Sequence, residues 1–475
     1  MTSRSTTSPP PFRSVFGIET EYGIHAPTAP EVHPSVLSAA VVGAYPGVAT
    51  GSQLDWVEPI PIEDAHNRVL ANGARLYVDH AHPEYSGPEV TTAADAVAYD
   101  LAGDAAVVAG AKAASAQLGF DIAIYKNNTD SHGASYGCHE NHLLPRSVPW
   151  TRIASVLPAF LVSRTVLIGA GRVGLGQHGE RAGFQLSQRA DFFETLEGIQ
   201  TTKRRPILNT RDEPHAPPSR YRRLHVITAD ANRNQFATWL KVGSLASLLA
   251  ALVHDAVPVI TLTHPVAAFQ AISHDPSLTQ AVETSQGRMT ALDLQEALLT
   301  AVLTHAERAP EMHEASVLAG WTQTLADLRT DPSSCADRLD WVAKYELMRA
   351  FADRHDLSWE DLRLAALDLA WARLDAPGPF DALTRAGHQR AVVSPADVAG
   401  ASASPPADTR AWLRGTLVGR IPDRVLAASW DSMTVLDAHG SRRHLNLAEP
   451  LRHTRAEVGE PTDAATVSAL LRQLG

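Results

Sequence analysis

Polar and apolar positions alternate between Val15 and Ile24. In an extended strand, Phe16, Ile18, Tyr22 and Ile24 share one face, while Gly17, Glu19, Glu21 and Gly23 share the other. The first face suits a core. The second presents two carboxylates, with glycines leaving room for a ligand against the backbone. Close like charges are costly unless a cation lies between them. A hard cation such as Mg²⁺ takes oxygen ligands and brings nucleotide phosphates with it. Taken alone, the same pattern also describes a strand with a solvated outer face. Positions 74–79 repeat the alternation: Arg75, Tyr77 and Asp79 on one face, Ala74, Leu76 and Val78 on the other. Arg suits phosphate, Tyr donates or ligates, and Asp acts as base or nucleophile.

Further along, the pattern predicts an Ala-rich helix over 93–117, a strand over 122–125 and a polar, turn-forming stretch over 126–137. A helix is expected over 151–168 and a strand over 223–227. Largely helical patterning fills 236–374, with Pro258, Pro265, Pro276 and Pro310 as punctuation. The segment up to Pro61 reads as loop, and 393–408, rich in Ala, Ser and Pro, reads as a linker. A small C-terminal unit follows, with a strand over 429–436 and a closing helix. The expected division is a disordered tail at 1–13, a catalytic domain at 14–400 and a small domain at 401–475. Strands and long helices do not alternate regularly. The expected fold is therefore α+β, with a mainly antiparallel sheet whose one face is a ligand platform.

Composition narrows the function. The 475-residue chain has a formal net charge of -11, which argues against nucleic acid as a general partner. No apolar run reads as long enough to span a membrane, and the N-terminus lacks the apolar segment of a signal peptide. With two cysteines only, Cys138 and Cys335, a disulfide framework is excluded and a cytoplasmic location expected. Against the overall acidity, Lys203, Arg204, Arg205, Arg211, Arg220, Arg222 and Arg223 form a basic stretch suited to an acidic partner or phosphate.

Several motifs are set aside. Gly169-Ala170-Gly171-Arg172-Val173-Gly174 matches the dinucleotide fingerprint, but what precedes it reads as helix and no helix opens after it. It is taken as a mobile turn. His80 and His82 lack a third zinc ligand at matching spacing. Cys138-His139-Glu140-Asn141-His142 lacks the spacing of a metalloprotease helix, and Cys138 reads as a buried structural residue. By itself, His225 between Leu224 and Val226 reads as a core or edge histidine, and Trp430 as an anchor or a base-stacking ring.

Taken together these segments resemble one family. Gly17-Ile18-Glu19-Thr20-Glu21-Tyr22-Gly23, Arg75-Leu76-Tyr77-Val78-Asp79-His80-Ala81-His82-Pro83-Glu84-Tyr85 and Tyr125-Lys126-Asn127-Asn128-Thr129-Asp130 are similar to signatures of the Dop/PafA family of Pup-processing enzymes. Asn209-Thr210-Arg211-Asp212-Glu213-Pro214-His215-Ala216, Tyr221-Arg222-Arg223-Leu224-His225-Val226-Ile227 and Ser429-Trp430-Asp431-Ser432 extend the likeness into the C-terminal unit. The spacing from Asp79 to Glu84, one residue shorter than in the ligases, resembles the depupylase branch. So does Gly183-Phe184-Gln185-Leu186-Ser187-Gln188-Arg189-Ala190-Asp191-Phe192-Phe193.

The resemblance implies a glutamine-synthetase-like carboxylate–amine ligase fold with a curved sheet platform, flanking helices and a small C-terminal domain. It implies Mg²⁺ ligation by Glu19, Tyr77 and Glu84, with Glu21 and His225 as further ligands. ATP contacts fall to Arg75 and Trp430, with Ser86 beside them, and Asp79 is the catalytic carboxylate. The implied reaction is hydrolysis of an amide on the side chain of Pup's C-terminal residue. It releases either ammonia or the lysine of a pupylated protein, with the nucleotide as a bound cofactor. Pup and pupylated proteins are the expected partners, and a monomer is expected. Two departures stand out: a shortened segment around 55–70, and Gly87 where the family tends to carry Thr. The competing readings are a Pup–protein ligase on the same ATP and metal site, and a Pup-binding regulator without turnover.

Overall fold

A computed structural model describes residues 12–49, 66–130, 133–174, 183–461 and 466–470. Seven strands build the central sheet: β1 (Phe16–Glu21), β2 (Val48–Ala49), β3 (Asn67–Val69), β4 (Arg75–Asp79), β5 (His82–Ser86), β6 (Cys138–Pro145) and β7 (Tyr221–Val226). Their order is β7-β6-β1-β5-β4-β3-β2, and every pairing is antiparallel. The expected α+β class with an antiparallel platform is what the chain adopts.

One face of the sheet is apolar. Phe16 and Ile18 of β1 join a large core with the long helices, and Leu76, Val78 and Tyr85 join a second cluster beneath β4 and β5. Five helices matter for the site: α1 (Pro34–Ala44), α2 (Ala93–Leu118), α3 (Gln235–Val253), α4 (Pro395–Ala403) and α5 (Ala411–Arg420). Helix α2 starts where the Thr92 hydroxyl accepts from Asp95 N and stops at Gly119, whose φ is 81°. It packs against the apolar face, and its Asp100 and Asp104 reach back to the sheet. Thr20 donates to Asp100 and Tyr22 to Asp104. Lys126, buried from the polar stretch after Tyr125, bonds Asp100 at 2.7 Å and Asp104 at 2.9 Å. That stretch is therefore partly an inward-facing brace for β1.

The C-terminal unit is a three-stranded sheet of β8 (Val425–Ala428), β9 (Ser432–Leu436) and β10 (Arg442–Asn446). Its core includes Val69 of β3, so it grows on the far edge of the central sheet.

The structure corrects four expectations. The loop predicted up to Pro61 contains α1, which begins at Pro34 with the His33 ring accepting from Ser35 N. The predicted linker contains α4, capped by Ser394 and Asp397 and packed on α2. Small residues, which read as linker composition, here allow two helices to approach closely. Among the described residues one helix, α3, is long and apolar enough to cross a membrane, but it lies buried within the core. The glycines at 169–171 form a packed turn: Gly171 N donates to Leu186 O, and a Cβ on Gly169 would lie 2.3 Å from that carbonyl. The tail at 1–11 and most of the shortened 55–70 segment lie outside the described residues.

Candidate active site

Strand register assembles the site. Because β1, β4, β5 and β6 each alternate faces, partners in register share the polar face of the sheet. One row crosses four strands as His139, Glu19, Ser86 and Arg75. The next row is Glu21, Glu84 and Tyr77. Asp79 ends β4 beyond Tyr77, and His225 of β7 enters beside Asn141. Every sheet residue singled out from the sequence thus lies on one face, and Trp430 meets it from the C-terminal unit.

Among the described residues, two groups of side chains are spaced to hold a cation. In the first, single ligand atoms of Glu19, His139 and His225 all lie within 4.8 Å of one another. Glu19 also accepts from Asn141 Nδ2 at 2.8 Å. Burial raises its carboxyl, but His139 and His225 outweigh that and hold it well below the usual carboxylate range. Burial lowers His139 to about 4, so its ring is neutral and able to ligate. Among the described residues neither buried ring nitrogen of His225 has a hydrogen-bond partner within 3.5 Å, and its Nε2 lies 3.7 Å from Glu19 Oε2. A buried imidazole aimed at an ionised carboxylate fits a metal ligand.

The second group is Glu21, Asp79 and Glu84, again within 4.8 Å of one another. Burial raises Glu21 to about 7, with Asp79 adding to the effect. Burial, then Glu21, Glu19 and Asp79, raise Glu84 well above its usual range. An all-oxygen set that is uncomfortable as bare carboxylates fits a hard divalent cation. The Tyr77 hydroxyl lies 3.2 Å from Ser86 Oγ at the edge of this group.

The sheet opens at two ends. Toward the C-terminal unit a pocket is lined by Gly17, Glu19, Ser86, His215, Arg223 and Trp430. The Arg75 guanidinium carbon lies 5.6 Å from the Trp430 ring centroid, near enough for a cation–π contact. At the other end, Glu21 and Asp79 line a cavity of about 280 Å³ shared with His80, Lys203, Arg189 and Arg205. Asp79 Oδ2 lies 3.0 Å from His80 Nδ1. His80 and Ala81, with φ of 45° and 74°, form the two-residue connection from β4 to β5. Non-glycine residues adopt that conformation at a cost, and such outliers gather at functional sites. One acidic group facing two buried arginines can present a carboxylate to a carbonyl while positive charge receives a developing oxyanion.

The basic stretch does not act as one patch. Lys203 and Arg205 line the Asp79 cavity, and Arg223 lines the other pocket and donates to Asn141 Oδ1 at 3.0 Å. Arg220 pairs with Glu449, and Arg222 lies over Trp150. The residues that sequence reasoning missed are His139 and Arg189. Strand β6 is polar on both faces, because inward-facing Glu140 is paired with buried Arg164, and this hides the alternation that would have assigned His139. Arg189 is held by its Nη1, which donates to the carbonyls of Cys138, Ile227 and Ala229, a role no local pattern announces. Cys138 is buried as expected, 3.3 Å from Lys241 Nζ.

Comparison with known proteins gives a consistent result. Residues 14–434 match the family model described as Pup-ligase protein. The chain is 42% identical to the depupylase of Acidothermus cellulolyticus, covering 94% of this chain and 96% of that one. It is 42% identical to the Pup deamidase/depupylase of Mycobacterium tuberculosis, covering 95% and 96%. The Pup–protein ligase of Micrococcus luteus is 37% identical over 90% of this chain and 93% of its own. Among solved structures, the complex between Pup and its ligase PafA superposes with a TM-score of 0.82 at 29% identity, covering 97% of this chain and 92% of that one. PafA in complex with ADP gives 0.75 at 30% identity, covering 86% and 90%. Spanning the central sheet, its polar face and the start of the C-terminal unit, this match shows that the chain belongs to the Pup-ligase protein family.

Proposed function

We propose that this chain is a Pup deamidase/depupylase, a hydrolase that uses a bound nucleotide and divalent cations. The observation that carries the reading is the position of Asp79, between the carboxylate pair Glu21/Glu84 and a cavity bearing Arg189 and Arg205. Similarity at 42% identity to depupylases over nearly the whole of both chains supports the hydrolase over the ligase, and the ADP-bound relative supports a nucleotide.

In this reading the Trp430 pocket would take the nucleotide base, with Arg75 and Ser86 beside it. Glu19, His139 and His225 would hold one cation, and Glu21 and Glu84, with Tyr77 at their edge, would hold another. Bound Mg²⁺ neutralises phosphate and carboxylate charge. Pup's C-terminal side-chain amide enters the Asp79 cavity. Asp79 delivers oxygen to the amide carbon, by direct attack or through a water molecule. Arg189 and Arg205 face the oxygen that gains charge, and the C–N bond breaks. Water adds across that bond overall, leaving a carboxylate on Pup and a free amine or ammonia.

The test is incubation with ATP, Mg²⁺ and a Pup-conjugated protein, read by gel and mass spectrometry. Release of intact Pup ending in Glu, lost in Asp79→Asn, is the expected result. New conjugate formed from Pup and free protein, with stoichiometric ADP, would overturn it in favour of ligation. Tight Pup binding without product would overturn it in favour of a regulator.

A further inference from the structure

Arg414, on α5, is fully buried and makes contacts to three separate segments. Its Nε and Nη2 donate to Gly73 O at 3.1 and 2.8 Å, in the turn before β4. Nη1 donates to Trp430 O at 3.0 Å. Nη1 and Nη2 also fork onto Glu89, just after β5, at 3.2 and 2.5 Å. The guanidinium plane lies over the Trp430 indole, with Cζ 4.8 Å from the ring centroid.

The backbone is built for this approach. Gly73 holds a φ of 81° against Ala411, and a Cβ on Gly415 would come within 2.6 Å of Ala71 O. Helix α5 is thus pressed onto the turn that launches Arg75, and Arg414 bridges that turn to Trp430 on the other side of the pocket. Arg410, one helical turn earlier, also binds Glu89, but it spends its remaining donors on His215 O, Leu447 O and Ala448 O.

We propose that Arg414 is a positioning residue for the nucleotide pocket. It fixes Trp430, from the C-terminal unit, beside Arg75, from the central sheet, so that the Trp430 wall of the pocket is set before the ligand arrives. A planar fork with several fixed donors does this; a single ammonium does not. The proposal rests on the nucleotide reading of that pocket. Preorganisation of this kind acts on affinity rather than on the chemical step.

The experiment is a double-mutant cycle on the full chain, read by titration with a fluorescent ADP analogue. Arg414→Lys is expected to weaken nucleotide binding about tenfold, with kcat at saturating ATP held within about twofold. In a Trp430→Ala background, Arg414→Lys is expected to add almost nothing, because the ring it positions is gone. Glu89→Gln, which keeps the shape of the fork's partner, serves as the second variant should Arg414→Lys fold poorly, and follows the same non-additive pattern. Equal binding by wild type and Arg414→Lys, or full additivity with Trp430→Ala, overturns the proposal. A wild-type chain that binds no nucleotide overturns the pocket reading itself, and the proposal with it.

Discussion

Glu21 of β1 stands directly opposite Glu84 of β5, so two buried carboxylates face each other across an antiparallel ladder. Like charges in that position destabilise a sheet. The bare site is therefore strained in favour of cation binding. Glu84→Gln is expected to raise the thermal stability of the metal-free protein, by about 1 kcal/mol or more. It should also remove the share of Mg²⁺ stabilisation expected from the Glu21/Glu84 group, which for one site at a hundredfold excess over Kd is about 2.7 kcal/mol, and leave the share expected from Glu19, His139 and His225. Differential scanning calorimetry with and without Mg²⁺ measures both. Wild-type and variant curves that shift equally with Mg²⁺ would remove Glu84 from the cation site.

Asp79→Asn keeps the shape of the side chain and removes its charge. Depupylation should fall by about a thousandfold or more in kcat/KM, the scale expected when a nucleophile or its activating base is lost. Nucleotide affinity should stay within about twofold, since Trp430 lies at the other end of the sheet. A matched loss in both would mean that Asp79 organises the site rather than acting on the amide. Turnover in H₂¹⁸O under single-turnover conditions separates the two routes: label first appearing in Asp79 itself after turnover identifies direct attack.

Lys126→Met should be among the most damaging substitutions outside the polar face. It leaves Asp100 and Asp104 buried without their cation, behind the strand that carries Glu19 and Glu21. Breaking a buried pair from one side costs about 3–5 kcal/mol. Urea denaturation should register that loss. A change below about 1 kcal/mol would show that the two aspartates find other partners.

Glu89 gives acid sensitivity to the attachment of the C-terminal unit. Burial raises its carboxyl, but Arg414 and Arg410 outweigh it and bring it to about 2, against about 4.5 in an unfolded chain. The unfolded state therefore binds a proton that the folded state refuses between those values. The stability Glu89 confers is complete above pH 4.5 and drains away as pH falls toward 2. Stability measured across that window should rise with pH more steeply in wild type than in Glu89→Gln; parallel slopes would contradict the assignment.

How much of the site is legible in the sequence depends on whether a residue's neighbours keep the alternation clean. Strand β4 carries a strict two-residue period and β1 one broken only by Thr20, so the pattern alone puts Glu19 and Glu21 on one face of β1, and Arg75, Tyr77 and Asp79 on one face of β4. The antiparallel platform follows from the same pattern. Strand β6 breaks the pattern with an inward Glu140, which only the distant Arg164 explains, and His139 is hidden with it. Helix α4 reads as linker because its small residues carry no hydrophobic stripe; its stability comes from close approach to α2 and a capped start, neither of which is a property of composition. The basic stretch misleads for the opposite reason: seven neighbouring cations share a sequence window, but β7 and the loops before it send them to different places.

The row from His139 through Glu19 and Ser86 to Arg75 draws one residue from each of four strands, and His225 of a fifth, in register with Asn141, reaches toward Glu19 from the next row. Glu19 and His225 are roughly two hundred positions apart along the chain, a separation whose closure costs more entropy than any local contact. No fragment and no partly paired sheet can present this row, and a slip of β5 by a single residue would turn Glu84 and Ser86 inward and Tyr85 outward. On the proposed function, ligand binding would act as a proofreading step on the fold: only chains with β7 docked in register would capture cation and nucleotide, and binding would withdraw those finished molecules from the pool still in search of their pairing.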